Sequence, residues 1–249
     1  MRLKIIYPDI FKKIEGVTSL FTLANRGFGI DGKGLDLGLN STNSKEELYS
    51  NLKSLSDQTG IDFSNLALVN QIHGTEINHV KRAGIYNDAD GLITTTPNLA
   101  ISIQVADCAA VLIADPVNYV AGAFHAGWRG AVAGIVPNGV RKMVDTGADP
   151  KKMHVYVSAC ISIEKFEVGE EVAHKFPNKF CDFTSYRKPH VDLKSFIRHQ
   201  LLTAEIPEEQ IEISQHCTFQ NTDFYSYRRE RENAGRMLGI IMLNKIINT

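Results

Sequence analysis

Two histidines and a cysteine, His73, Cys108 and His125, each stand just after an apolar segment of the chain. "LALVN" runs into "QIHGTE", "ISIQV" runs into "ADC", and "YVAGAF" runs into "HAGWRG". Two imidazoles and a thiolate suit a borderline-soft divalent metal, and three protein donors leave a fourth position open for water or substrate. That composition is the one of a catalytic zinc site rather than a closed structural one. The three residues are spaced too widely for a short zinc motif, so the reading requires three loops to converge. Small residues beside each donor allow such an approach. A second reading makes Cys108 a nucleophile, with His125 as its base and Asp107 as the orienting carboxylate. Residue types alone do not separate the two, since both need a thiolate beside an imidazole. Asp107 also has a plain structural reading, as a carboxylate that accepts backbone N–H groups in its own turn.

Gly127 and Gly130 flank Trp128 and Arg129 where a helix is expected to begin. Free N–H groups and the helix dipole favour an anion there, and Arg129 supplies a planar, permanently charged fork for phosphate. The opposing reading pairs Arg129 with a local carboxylate and lets Trp128 pack. Upstream, "GLDLGLNST" places Gly34, Gly38 and Asn40 in an expected polar turn, with Asn40 a candidate for substrate binding. Near the C-terminus, "CTFQNTDFYSYRRERENAGR" mixes aromatics with Arg228 and Arg229, but Glu230 and Glu232 offset the charge. A strand followed by a salt-bridged loop is expected there, rather than a nucleic-acid surface.

The elements that must position these residues are legible as short runs rich in β-branched and aromatic side chains. "VTSLFTLA", "LALVN", "LAISIQV", "AVLIAD", "YVAGAF", "MHVYVS" and "IEIS" read as strands. Ser44 and Glu47 form an expected capping box, with Leu48, Leu52 and Leu55 on one helical face before Gly60. A second helix is expected after Gly130, kinked or split at Pro137. A third spans about Val168 to Phe176, and a fourth opens at Asp192 with Leu193, Phe196, Ile197 and Leu201 inward. Strands and helices mix without strict alternation, which predicts an α+β fold of mixed sheets under flanking helices.

Composition bounds the function. The chain has 249 residues, 43% of them hydrophobic, and can bury a sizeable core. One large domain or two tightly joined halves both fit this length. A net charge of −1 gives no footprint for sequence-independent nucleic-acid binding. No stretch is long and apolar enough to span a membrane, and "LKIIYP" is too short for a signal core. The four cysteines are scattered without a CxxC pair, which fits reduced thiols and a cytoplasmic setting. Eight histidines include no His-x-His pair, so the ligands of a multicopper cluster are missing.

"QIHGTEI", "DADGLIT", "ADCAAVLIADP", "AFHAGWRGAVAGIV", "FEVGEEV", "HCTF" and "FYSYRRE" together resemble the YfiH-like family, long labelled laccase-domain or multicopper polyphenol oxidases. The resemblance runs from about Val17 to the C-terminus. It implies that residues 1–249 are a single domain, an α+β sandwich, and a zinc enzyme of purine nucleoside metabolism, with phosphorylase and adenosine deaminase activities. It also implies that the metal ligands fall on His73, Cys108 and His125. The expected partners are a purine nucleoside and phosphate, with no nucleic acid and no membrane, for a monomer or homodimer. Copper can take the same ligands in vitro, which would give weak phenol oxidation. A cell-wall role attached to the family makes a cell-wall precursor an alternative substrate, and a non-catalytic binding protein with a vestigial site is another alternative. Two departures stand out: Asn51 is followed by Leu52 where relatives carry Arg, and Ser158-Ala159 replaces a Gly-Pro pair.

Overall fold

The run Ala109–Asp115 is buried along its whole length, and its side chains alternate between two separate cores. Ala109, Val111 and Ile113 enter one, while Ala110, Leu112 and Ala114 enter the other. Only a strand covered on both faces reads this way. The computed structural model describes residues 2–29, 32–41 and 44–245. In chain order these form β1 (Ile5–Ile6), α1 (Asp9–Lys12), β2 (Val17–Thr22), α2 (Lys45–Thr59), β3 (Leu66–Val69), β4 (Ile77–His79), β5 (Gly84–Tyr86) and β6 (Gly91–Thr94). Next come β7 (Ala100–Val105), β8 (Ala109–Asp115), β9 (Val120–Ala126), α3 (Trp128–Ala133), α4 (Ile135–Asp145) and β10 (His154–Val157). The rest are α5 (Glu170–Ala173), β11 (Cys181–Asp182), β12 (His190–Val191), α6 (Leu193–Thr203), β13 (Ile211–Ile213), α7 (Tyr227–Glu230) and β14 (Met237–Leu243).

Two mixed sheets of six strands face each other. One has the order β1-β2-β14-β7-β3-β5, the other β13-β10-β8-β9-β6-β4, and β11 pairs with β12 in a separate ribbon. Phe21, Ile101, Ile103 and Ile241 of the first sheet share the middle core with Leu92, Leu112, Ala123 and Tyr156 of the second. On the outer face of the first sheet, Leu52 and Leu55 of α2 pack with Leu66, Leu68, Leu238 and Ile240. On the outer face of the second, α3, α4 and α6 cover Val111, Phe124 and Val155. The result is the α+β sandwich of mixed sheets under helices. Glycines set its close contacts. A Cβ on Gly239 would lie 2.8 Å from the Ala110 Cβ in the facing sheet, and one on Gly139 of α4 would lie 2.7 Å from the Phe124 ring.

All seven runs named as strands hold one, with β2 ending at Thr22 rather than Ala24. α2 has the Ser44–Glu47 capping box and a left-handed Gly60 cap, and α6 opens on Asp192, whose side chain accepts from Ser195 N–H. Other expectations need correction. The second helix starts at Trp128, ahead of Gly130, and breaks at left-handed Gly134 rather than at Pro137. Pro137 sits in the first turn of α4, where no helical N–H is lost. The third helix is only Glu170–Ala173. The Gly34–Gly38 segment is buried, with Leu35 and Leu37 fully enclosed, so it is not a polar turn. No strand forms within 217–226 apart from one isolated bridge at Cys217. Those residues fold as turns around the Arg229 guanidinium, which donates to the carbonyls of Thr218, Phe219 and Phe224 and to Glu230.

Gly239→Val is expected to force the sheets apart and lower stability by about 1–3 kcal/mol, the usual cost of overpacking a core. Denaturant unfolding checks this, and an unchanged or higher midpoint would show that the sheets do not meet there.

Candidate metal centre

Three residues, Ala106 to Cys108, carry the chain from β7 in one sheet directly to β8 in the other. The loop after β3 and the end of β9 reach the same point. The donor atoms of His73, Cys108 and His125 all lie within 4.8 Å of one another. Among the described residues no other cluster of three such donors occurs. The two imidazoles sit edge to face, 4.9 Å apart at 78°. Glycines permit the approach: a Cβ on Gly127 would stand 2.8 Å from Cys108 Sγ, and one on Gly130 would stand 3.0 Å from the Gly74 carbonyl.

Asp90 holds this arrangement. Its carboxylate, with no exposed surface, accepts the Nδ1 proton of His125 at 2.7 Å. It also accepts the backbone N–H groups of Ile72, His73 and Gly74 at 3.2, 3.0 and 2.6 Å. Burial would raise the Asp90 pKa, but His125 and these amides outweigh it and hold the group ionised. With Nδ1 engaged, Nε2 of His125 is the atom left for a ligand. His73 itself is kept at φ 61°, a left-handed conformation that a side chain rarely adopts.

Asp107, also left-handed at φ 80°, turns away from its neighbour Cys108. Its carboxylate accepts from Thr218 Oγ1 at 2.6 Å, Ser226 Oγ at 3.0 Å and Arg228 N–H at 2.6 Å. The acid therefore pins the C-terminal turns beneath the site. The carboxylate that orients His125 is Asp90, so of the two readings of Asp107 the structural one fits, with donors from the C-terminal turns rather than from its own turn. Burial pushes the Cys108 thiol up, but the His125 and His73 imidazoles outweigh it and bring it down to about 6. Cys160, buried without such neighbours, is pushed up to about 12. Cys108 is thus the thiol poised to ligate or to react.

A cavity of about 790 Å³ opens on the three donors, and all six residues nominated from sequence line it: Asn40, His73, Asp107, Cys108, His125 and Arg129. Arg129 is exposed, and its guanidinium lies over the Trp128 ring at 4.3 Å without a carboxylate partner among the described residues. Asn40 donates its amide to the neighbouring Asn70, which also lines the cavity. Phe166, Arg228 and Arg231 also line the cavity and were not nominated as site residues. The two departures fall elsewhere: Leu52 is on the buried face of α2 against the first sheet, and Ser158 Oγ accepts the Ala110 N–H at 2.9 Å. Asp90 was legible only as an acid directly before the apolar "GLIT".

Asp90→Asn keeps the size of the side chain and removes its charge. It is expected to weaken metal retention by about 10–100-fold, the scale of lost outer hydrogen bonds to a ligating histidine. Competition with a chromophoric chelator measures this, and unchanged retention would remove Asp90 from the account.

The comparisons with known proteins agree with this architecture. The chain is 36% identical over 196 residues to a protein named purine nucleoside phosphorylase from Deinococcus radiodurans, covering 78% of this chain and 76% of that one. It is 27% identical over 251 residues to adenosine deaminase RL5 from an unknown prokaryotic organism, covering 92% and 94%. The crystal structure of the Bacillus licheniformis hypothetical protein YfiH superposes with a TM-score of 0.87 at 29% identity, over 94% of this chain and 95% of that one. A family model matches residues 19–244, and the chain belongs to the family it describes, the multi-copper polyphenol oxidoreductase laccases.

Proposed function

We propose that the protein is a zinc-dependent enzyme of purine nucleosides, chiefly a phosphorylase, with adenosine deamination as a second activity. One observation carries the reading: three donors within 4.8 Å of one another, open on one side to a cavity that also presents Arg129. The donor set fits zinc, because two imidazoles and a depressed thiol match its borderline softness and leave a coordination position free. Bound there, zinc supplies Lewis-acid polarisation and makes water acidic enough to serve as a nucleophile near neutral pH. The relatives named purine nucleoside phosphorylase and adenosine deaminase supply the substrate class.

Phosphorolysis forms a bond between a phosphate oxygen and the ribose C1′ while the C1′–N9 bond breaks. The electron pair leaves with the purine, which takes up a proton. Arg129, steadied on Trp128, holds the attacking phosphate as a charged fork. The Asn40–Asn70 pair leaves the Asn40 carbonyl oxygen and the Asn70 amide nitrogen to meet the sugar from the cavity wall. His73, Cys108 and His125 would hold the metal, and Asp107 keeps the C-terminal turns beneath them in place. Deamination replaces the C6 amino group with the oxygen of water and releases ammonia. A laccase assignment demands several coppers, whereas the described residues offer one three-donor cluster.

The deciding experiment incubates zinc-loaded protein with inosine or adenosine, with and without phosphate. Phosphate-dependent release of free base is expected, abolished by Cys108→Ala together with bound zinc. Arg129→Ala is expected to raise the KM for phosphate about tenfold, the scale of one charge-assisted hydrogen bond. Base release that ignores phosphate would mean hydrolysis. No purine chemistry beside strong copper-dependent phenol oxidation would replace this reading with the oxidase.

A further inference from the structure

We propose that the cavity takes a purine substrate carrying its own phosphate, a nucleoside 5′-monophosphate, with Arg228 and Arg231 as the subsite for that anion. The inference rests on the purine reading above and narrows its substrate class.

The C-terminal turns contain arginines with two different fates. Arg229 is fully engaged, donating to three carbonyls and to Glu230 at 2.7 Å. Arg236 spends one nitrogen on the carbonyls of Ala234 and Gly235. Arg228 and Arg231 line the cavity, and among the described residues neither guanidinium makes a hydrogen bond or an ion pair. The Arg228 guanidinium lies 5.9 Å from the Phe166 ring and within electrostatic reach of Glu167, without an ion pair to it.

The acids that could neutralise them are committed. Glu167, which feels the Arg228 charge, makes its ion pair with Lys188 at 2.9 Å. Asp107 is filled by the hydroxyls of Thr218 and Ser226 and by the Arg228 N–H. Unpaired guanidinium groups on a concave wall focus positive potential where a dianionic phosphomonoester would lie. Arg129 already serves the phosphate consumed in the reaction, so these two cations are surplus to an unphosphorylated nucleoside.

Backbone conformation adds an independent argument. Arg231 has φ 55° and ψ −133°, a combination that suits glycine and strains any side chain. Folding alone would favour glycine at that turn. The chain instead keeps a long cation there, and strained residues gather where function needs them. The cavity, at about 790 Å³, lies in the upper part of the range of about 300–1,000 Å³ for small-molecule sites and has room for a nucleotide.

Isothermal titration of the zinc-loaded protein with inosine and with inosine 5′-monophosphate, in phosphate-free buffer, tests the proposal. The monophosphate is expected to bind at least about tenfold more tightly. That advantage should shrink as salt rises and disappear in Arg231→Gly, whose thermal midpoint should increase because the strain is relieved. Equal affinities in the wild-type protein, or an advantage that survives both Arg231→Gly and Arg228→Ala, overturn it. Inorganic phosphate titrated alone separates the sources of the anion. If Arg231→Gly weakens it as much as it weakens the monophosphate, the subsite serves the free ion and the proposal falls. Turnover of inosine without preference for the monophosphate overturns this inference and leaves the purine reading intact. Preference for the monophosphate without any turnover does the reverse.

Discussion

A carboxylate removed from solvent must find its compensation inside the fold, and Asp90 finds it in four N–H groups, three from the loop after β3 and one from His125 in β9. Removing any of them would leave charge poorly solvated in a low-dielectric setting, at a cost of several kcal/mol. The loop after β3 therefore has one conformation available, and the ring of His125 has one orientation. Both imidazoles are set by a single acid that itself touches neither Cys108 nor the cavity. This is economical: one buried charge fixes the tautomer of one donor and the backbone of the other.

The legible part of the fold was its local chemistry. Strand β7 announces itself through Ile and Val alternating with Ser102 and Gln104, β8 through the unbroken apolar run Ala109–Ala114, and α2 through Ser44, Glu47 and Gly60. β14 went unread although it is central to its sheet. Gly239 interrupts "MLGIIML", and a short continuous apolar run has no period to separate strand from helix. The break at Gly134 rather than at Pro137 follows the same logic. A proline costs nothing in a first turn, whereas a left-handed glycine ends the preceding helix.

Site residues divided along a similar line. His73, Cys108 and His125 stand at strand ends beside small residues, a signal carried within a few positions of each. Asp90 matters only through partners from distant loops, and Arg231 only through its φ and its place on a cavity wall. Neither property is written in neighbouring letters. Asp107 was visible but misleading. Adjacent to Cys108 in sequence, it points to the C-terminal turns, because successive residues at a turn between sheets face different ways.

The crossing of Ala106 to Cys108 from one sheet to the other has a mechanical meaning. His73 follows a strand of the first sheet, His125 ends a strand of the second, and Cys108 stands on the segment that joins them. A cation held by all three acts as a rivet through both layers at their open end. Whatever free energy it gains on binding is also free energy of holding the sandwich closed, so occupancy and folding become one linked equilibrium. Supply of the ion would then govern how long a molecule survives in the folded state as well as how fast it works.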